Sequence, residues 1–347
     1  MKKVFALKQK WIYALIVAFA LCIGGLGLYA YRLAYAPNFT PNAPVRIYIH
    51  PEDTFDTVCQ QLRDSAHCRS LSSFRLLAGW MKYPRYIKTG CYAIRPGMSN
   101  LEAIRMLRGG QQEAVELTFN NIRTKQELAE RLDEELMLTA DELLAFLNDS
   151  AWCAGQGFDT ATICTLFIPN TYEVYWNTSA PALLKRMKRE YQRFWNPERL
   201  KKAEAAGLTP VEVSILASIV EEETAAPDEY PLVAGLYINR LKRGMLLQAD
   251  PTVKYAVGDF SLQRILYVHL EVDSPYNTYK YAGLPPGPLR IPSIQCIDGV
   301  LNYTHHHYLY MCAKEDLSGR HNFARTLSEH NRNAQRYQAA LNRLRIR

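Results

Sequence analysis

Three consecutive carboxyl residues, Glu221-Glu222-Glu223, stand just before Thr224, at the end of a segment that opens with Thr209-Pro210-Val211-Glu212. The Thr-x-x-Glu spacing is a capping box, and proline suits the first helical position, so the segment starts a helix. At 100° per residue, Ile219 and Val220 lie within roughly 60° of Leu216 and define an apolar stripe. Continuing the helix puts Glu223 about 20° from Leu216, in the middle of that stripe. Glu221 and Glu222 fall about 140° and 120° away on either side. Two of the three glutamates therefore turn outward or sideways, and one points toward the core. A carboxyl beside apolar surface loses hydration when it ionises, so its pKa rises. That is the condition for a general acid that holds its proton near neutral pH. The competing reading is a frayed acidic helix end with all three side chains solvated.

Such an acid needs a binding site around it. Gln248-Ala249-Asp250-Pro251-Thr252 is a polar, turn-forming run, and Ser274-Pro275-Tyr276-Asn277-Thr278-Tyr279 combines aromatics, an amide and hydroxyls. Gly283-Leu284-Pro285-Pro286-Gly287-Pro288 is stiff, irregular backbone. Each run alone also reads as an ordinary surface loop. Together they supply rings to stack on sugar faces and amides to bond acetamido or hydroxyl groups. Gln248, Asp250, Thr252, Tyr276, Asn277 and Tyr279 are the candidate substrate-binding residues. The chain has no glycine-rich phosphate loop, nucleophile elbow or H-E-x-x-H motif. Neighbouring side chains in His305-His306-His307 diverge on extended backbone, so no metal site is expected there, and no cofactor elsewhere. His321 and His330 are candidates for structure or for lining the site.

The elements that must position these residues fall into an anchor and two modules. The chain has 347 residues, 48% hydrophobic and 22% charged, which is a globular composition. Its net charge is +7, but Lys2, Lys3, Lys8 and Lys10 carry four of those charges. The small remaining excess and the absence of a recognition motif exclude nucleic acid as an expected partner. Residues 12–31 form a charge-free apolar stretch with Trp11 and Tyr13 at one end and Tyr29 and Tyr31 at the other. Twenty residues reach roughly 30 Å as a helix, one hydrocarbon thickness. The preceding lysines place residues 1–11 in the cytoplasm and the remainder outside it. The expectation is a single-pass anchor in the cell (inner) membrane rather than a cleaved signal, with an extracytoplasmic or periplasmic body. Cys22 lies in the span, and the other seven cysteines are too few for a disulfide scaffold. Cys153 and Cys164 are near enough in sequence for a local bridge, which sequence alone does not establish.

Residues 32–44 hold three prolines and read as a linker. Residues 45–115 read as a β-α-α-β-α module. Its strands are 45–49 and 88–94, and its helices are 54–62, 72–81 and 99–107, the last capped by Ser99 and ended by Gly109-Gly110. Beyond it come a strand at 114–119 and helices opened by capping boxes at Thr124 and Thr139. A loop-like stretch at 150–165 precedes a basic helix at 181–195. After the Thr209 helix come another at 228–243, a strand at 308–312 and a closing helix at 328–344. The fold class is α+β: an N-terminal transmembrane helix, a small module and a mixed α/β domain over 116–347.

Ala217-Ser218-Ile219-Val220-Glu221-Glu222-Glu223-Thr224 resembles the signature of the endolytic murein transglycosylases, the YceG-like (MltG) family. Further matching runs are Phe167-Ile168-Pro169-Asn170-Thr171-Tyr172, Ile238-Asn239-Arg240-Leu241, Leu247 to Val253, Tyr276 to Tyr279, Gly283 to Pro288, His321-Asn322-Phe323 and Glu329-His330-Asn331. Their order and spacing cover about 45–347. The sequence departs from the family pattern at Asn170, Pro292-Ser293 and Asn302-Tyr303. The resemblance implies that Glu223, the last acid before the threonine, is catalytic, in agreement with the helical wheel. It also implies that residues 45–115 are a LysM-like module. The expected reaction is lytic cleavage of the β-1,4 bond from MurNAc to GlcNAc in nascent peptidoglycan strands, leaving 1,6-anhydroMurNAc ends. One carboxyl would act as acid and then base, without cofactor or metal. Peptidoglycan synthases are expected as partners beside the glycan and the membrane. Two rival readings are a non-catalytic peptidoglycan-binding scaffold and a muramidase that adds water.

Overall fold

The computed structural model describes residues 2–262 and 264–343. It divides into two compact units: residues 1–116 with 173–177, and residues 117–172 with 178–347.

In the first unit, helix α1 (Lys2–Tyr35) includes one candidate membrane span, Trp11–Tyr35. Strands β1 (Val45–Ile49) and β2 (Gly90–Ile94) pair antiparallel, with Ile47 opposite Tyr92. Helices α2 (Phe55–Asp64), α3 (Leu71–Trp80) and α4 (Asn100–Gly109) complete the β-α-α-β-α order read from the sequence. Ser99 and Glu102 close a full capping box on α4, and Gly110 ends it at φ 72°, where a side chain would be strained. Phe39, Ile47, Ile49, Leu62, Phe74 and Ile104 form a dry core. The stretch expected to be a linker is partly ordered into this unit. Helix α1 runs on to Tyr35, and Pro37 and Phe39 form isolated bridges to Ser99 and Cys68. Asn38 and Asn100 are buried and bond each other at 2.7 Å. Asn100 also donates to the Leu33 carbonyl at 2.9 Å, and Asn38 accepts from Ser70 N–H at 2.8 Å.

The second unit is mostly helical. Its residues 117–118 and 171–172 belong to strands β3 (Val115–Thr118) and β4 (Thr171–Val174). Between them lie α5 (Lys125–Glu135), α6 (Ala140–Leu147) and α7 (Ser150–Gly155), so the stretch expected as loop at 150–165 begins with a short helix. Cys153 and Cys164 are free thiols, as are the other six cysteines. The box at Thr139 closes fully. At Thr124 only half forms, because Glu127 reaches one residue further back, to Arg123 N–H at 2.7 Å. Then follow α8 (Ala180–Phe194), α9 (Pro197–Ala206) and α10 (Pro210–Glu223).

Helix α10 is the axis of this unit. Its start is the proline-bearing box expected at Thr209, and every residue from Val213 to Val220 is buried. It packs against α9, α11 (Tyr230–Lys242), α12 (Asp250–Val257) and α14 (Ile294–Leu301); the short α13 (Tyr267–Leu270) lies between the last two in sequence. Ser218 donates to Ile215 O at 2.7 Å and accepts from Leu289 N–H at 2.9 Å, so the helix carries no unsatisfied hydroxyl there. Gly235 lets α11 approach Thr304 closely, since any Cβ would overlap the Thr304 carbonyl. Strands β5 (Tyr310–Ala313) and β6 (His321–Ala324) form an antiparallel hairpin, and α15 (Leu327–Arg343) closes the described chain.

Candidate active site

Glu223 is the last residue of α10, with Thr224 as its C-cap. Its carboxyl opens on a cavity of about 270 Å³ lined also by Tyr237, Arg240, Gln248, Asp250, Tyr279 and His321. The Tyr237 hydroxyl donates to Glu223 Oε1 at 2.8 Å. Burial raises the Glu223 pKa from 4.5 to about 7; Asp250 and Glu222 add to the rise, while the Tyr237 bond and the charge of Arg240 oppose it. Burial, and then the Glu223 charge, push the Tyr237 hydroxyl well above its usual range, so it remains a donor. A carboxyl with this pKa carries a proton in a large fraction of molecules at neutral pH, and the same group is a base once the proton has left.

Arg240 lies one turn beyond Tyr237 on α11, on the same side. It is buried, yet among the described residues it has no carboxylate partner. It donates to the carbonyls of Leu309 at 2.6 Å, Leu246 at 3.1 Å and Leu247 at 2.8 Å. One cation therefore ties the approach to β5 to the loop that carries Gln248. Gln248 itself adopts φ 50°, a left-handed conformation costing a non-glycine residue about 1 kcal/mol. Its N–H donates to Thr278 O at 3.1 Å. Asp250 opens α12 and accepts from the Tyr279 hydroxyl at 2.6 Å.

Of the six candidate binding residues, the structure gathers Gln248, Asp250 and Tyr279 with Glu223 on this cavity. Thr252 and Asn277 are instead fully buried and saturated. Thr252 donates to Ala249 O at 2.6 Å and lies 2.8 Å from the Thr278 hydroxyl. The Asn277 amide donates to Leu270 O and Val272 O, both at 2.8 Å, and accepts from Tyr279 N–H at 3.0 Å. These two residues staple the loops rather than face a ligand. Tyr276 stacks against Tyr255, with ring centroids 4.6 Å apart, on a different cavity that includes Arg123, Lys125 and Arg290. A polar loop residue can bond its own backbone as readily as a ligand, and sequence does not separate the two.

The other two glutamates are not solvated, although they do lie off the stripe. Glu222 accepts from Arg123 at 2.9 and 3.0 Å and from Arg290 at 2.9 Å. Glu221 accepts from Ser293 N–H at 3.0 Å. Tyr237 was not singled out from the sequence, and Arg240 appeared only within a family run. Their signal is weak: an aromatic and a cation three residues apart on an otherwise apolar helix. Of the two histidines left open, His321 lines the cavity and His330 packs on Tyr310 with centroids 5.6 Å apart. In the histidine triplet, His306 Nε2 lies 2.9 Å from Leu232 O and Nδ1 accepts from Tyr308 N–H at 3.1 Å, which makes this ring structural.

A helix-rich fold with a half-buried acid, Glu223, in a polar cleft fits a family known from sequence. The YceG-like family model matches residues 47–336, and the chain belongs to that family. A protein of Bacillus subtilis (strain 168), named endolytic murein transglycosylase, is 28% identical over 342 residues, 93% of this chain and 92% of that protein. The endolytic murein transglycosylase of Streptococcus pneumoniae (strain D39) is 28% identical over 286 residues, 73% of this chain; the chain spans only 52% of that longer relative. A crystal structure of a YceG-like protein from Listeria monocytogenes superposes with a TM-score of 0.56 at 24% identity, covering 84% of this chain and 99% of that one. This likeness establishes a shared fold.

Proposed function

We propose that the chain is a membrane-anchored endolytic transglycosylase of peptidoglycan. Family membership and the names of its relatives support the class. The observation that carries the mechanism is Glu223, half-buried at the cavity, bonded to Tyr237 and with its pKa raised to about 7. Protonated Glu223 donates to the glycosidic oxygen as the bond from MurNAc C1 breaks. The resulting carboxylate accepts the proton of the C6 hydroxyl as that oxygen closes on C1. The products are a GlcNAc 4-hydroxyl and a 1,6-anhydroMurNAc end, and no water is consumed. The nucleophile is part of the substrate, so the site has to orient it more than activate it. Gln248, Asp250 and Tyr279 are assigned to binding the strand.

In this reading residues 1–11 are cytoplasmic, 12–31 span the cell (inner) membrane once, and 32–44 link the span to a LysM-like module at 45–115. Residues 116–347 form the extracytoplasmic catalytic domain, and peptidoglycan synthases are its protein partners. Cysteine labelling after residue 45 tests the topology; a mature chain starting near residue 35 would overturn it.

One observation favours a second reading. Asp250 shares the cavity with Glu223, and two carboxyls can serve a hydrolase that adds water. Mass spectrometry of the products decides. Anhydro ends, lighter by one water, support the proposal; reducing muramic ends support the muramidase, and intact glycan a binding scaffold.

A further inference from the structure

Beside Glu223 the cavity is bordered by His321, a group that the mechanism above does not use. His321 opens β6 and is tied to the start of α11. Successive acids grip successive residues: Asp228 pairs with Arg320 at 2.8 and 3.0 Å, and Glu229 with His321. Glu229 is buried, and both of its oxygens are engaged. Oε1 accepts from His321 N–H at 3.0 Å. Oε2 accepts from the Thr224 hydroxyl at 3.0 Å and meets His321 Nδ1 at 2.9 Å. Burial raises the Glu229 pKa, but the bonds from His321 and Thr224 more than offset it, so the carboxyl stays below its usual range.

This arrangement settles which ring nitrogen carries the proton. An ionised carboxylate only accepts, so Nδ1 is the donor. In the neutral ring the lone pair then sits on Nε2, and Nε2 has no hydrogen-bond partner among the described residues. Among the described residues, other groups on the cavity wall without a hydrogen-bond partner include Glu223 Oε2, Asp250 Oδ2, the Gln248 amide nitrogen and Arg240 Nη2; of these the amide and the guanidinium only donate, and the two carboxyl oxygens belong to acids. Glu223 is committed to the glycosidic oxygen. A sugar strand presents hydroxyl donors, and a neutral imidazole nitrogen accepts from them without adding charge.

We propose that His321 is a further substrate-binding residue of this site, its Nε2 accepting a hydrogen bond from a sugar hydroxyl of the glycan, and that Glu229 is the positioning residue that fixes its tautomer. The inference rests on the transglycosylase reading for its ligand, whereas the tautomer is independent of it. Thr224, next to Glu223, binds the same carboxylate, so one group aligns the acid's helix end and the imidazole.

Glu229→Gln tests this without emptying space. The amide oxygen can still accept from His321 N–H, and the amide nitrogen can donate to Nδ1 and toward Thr224. The proton must then move to Nε2, turning the acceptor into a donor. The full chain in detergent, labelled with ¹⁵N-histidine and assigned with His321→Phe, should show a bare Nε2 in the parent and a protonated Nε2 in Glu229→Gln. With purified peptidoglycan strands, Glu229→Gln should raise KM up to about tenfold, with a smaller loss of kcat, because the hydroxyl that donated to Nε2 must turn and accept from it instead. Its melting temperature should fall by a few degrees at most, since the depressed pKa of Glu229 contributes some stability at neutral pH. The double variant His321→Phe/Glu229→Gln, which buries no unpaired charge, should be no weaker in kcat/KM than either single change, and it carries the test if Glu229→Gln does not fold. A protonated Nε2 in the parent, or a flipped tautomer with parental KM, would overturn the inference. Reducing ends or uncut strands from the parent would instead overturn the transglycosylase reading and leave the tautomer result standing.

Discussion

The two flanks of the last turn of α10 treat a carboxylate in opposite ways. On one flank Glu221 and Glu222 lie within reach of Arg290, and Glu222 also holds Arg123. On the other, one residue further along, Glu223 faces a tyrosine hydroxyl and a cation already occupied by carbonyls. Pairing occupies the oxygens of these two carboxyls with arginine and backbone donors. Withholding the partner leaves a carboxyl that gains stability by keeping its proton. A rotation of about 100° per residue separates the two outcomes, so the helix phase decides which carboxyl is left without a cation.

The largest expected effect tests that choice directly. Glu223→Gln keeps the shape and the Tyr237 bond and should slow anhydro-end release by about 10²–10⁴-fold, typical for loss of a general acid. Glu221→Gln should leave turnover of the folded enzyme intact; the opposite pattern would mean that the wrong carboxylate has been assigned. On the paired flank the effect moves from rate to stability. Arg290→Met removes a cation shared by Glu221 and Glu222 and should lower the unfolding free energy in urea by roughly 3 kcal/mol, the scale of a broken part-buried pair. The pH midpoint of activity should stay in place, and a shift would show that the flanks are coupled.

The pH dependence sharpens the contrast further. Glu223 has its folded pKa raised from 4.5 to about 7. The folded state therefore binds this proton more tightly than the unfolded one. The penalty for ionising it is absent below the unfolded pKa and grows as pH rises through the window up to the folded pKa. Relative to the parent, Glu223→Gln should be more stable by ~2 kcal/mol at about pH 8 and no more stable at about pH 4, measured by chemical denaturation at each pH. Parental kcat/KM should fall about tenfold per unit above neutrality as the acid form disappears. The smallest effect separates wall from scaffold. Asn277→Ala should cost ~1–2 kcal/mol of stability, because two buried carbonyls lose their donor, with KM unchanged in the folded enzyme. Gln248→Ala should show the reverse, a several-fold rise in KM with little change in melting.

The order of elements and the distinct setting of Glu223 among the three glutamates were legible because both rest on local rules. Capping at Ser99, Thr139 and Thr209 and the 3.6-residue period act within a few residues, and each appears in the structure. The cavity wall was legible only in half. Gln248, Asp250 and Tyr279 look no different in sequence from Thr252 and Asn277, whose side chains turn back onto carbonyls of their own loops. Glu221 and Glu222 read as outward-facing, since their arginines lie about 70 or 100 residues away in the chain. The Glu229–His321 contact crosses 92 residues and leaves no periodic trace.

The N-terminal helix does not end in slack. Asn100 holds the Leu33 carbonyl, and Pro37 and Phe39 bridge onto the first unit within four residues of Tyr35. A free nine-residue tether would let its cargo wander over an r.m.s. distance of about 17 Å. A seam this short behaves as a stalk. With the proposed anchor in a bilayer, the module at residues 45–109 would inherit the tilt and rotation of that helix, and its height above the lipid would be set by the depth at which Tyr29 and Tyr31 settle. Lengthening the seam with glycine and serine would turn the stalk into a leash, trading a fixed working height for reach.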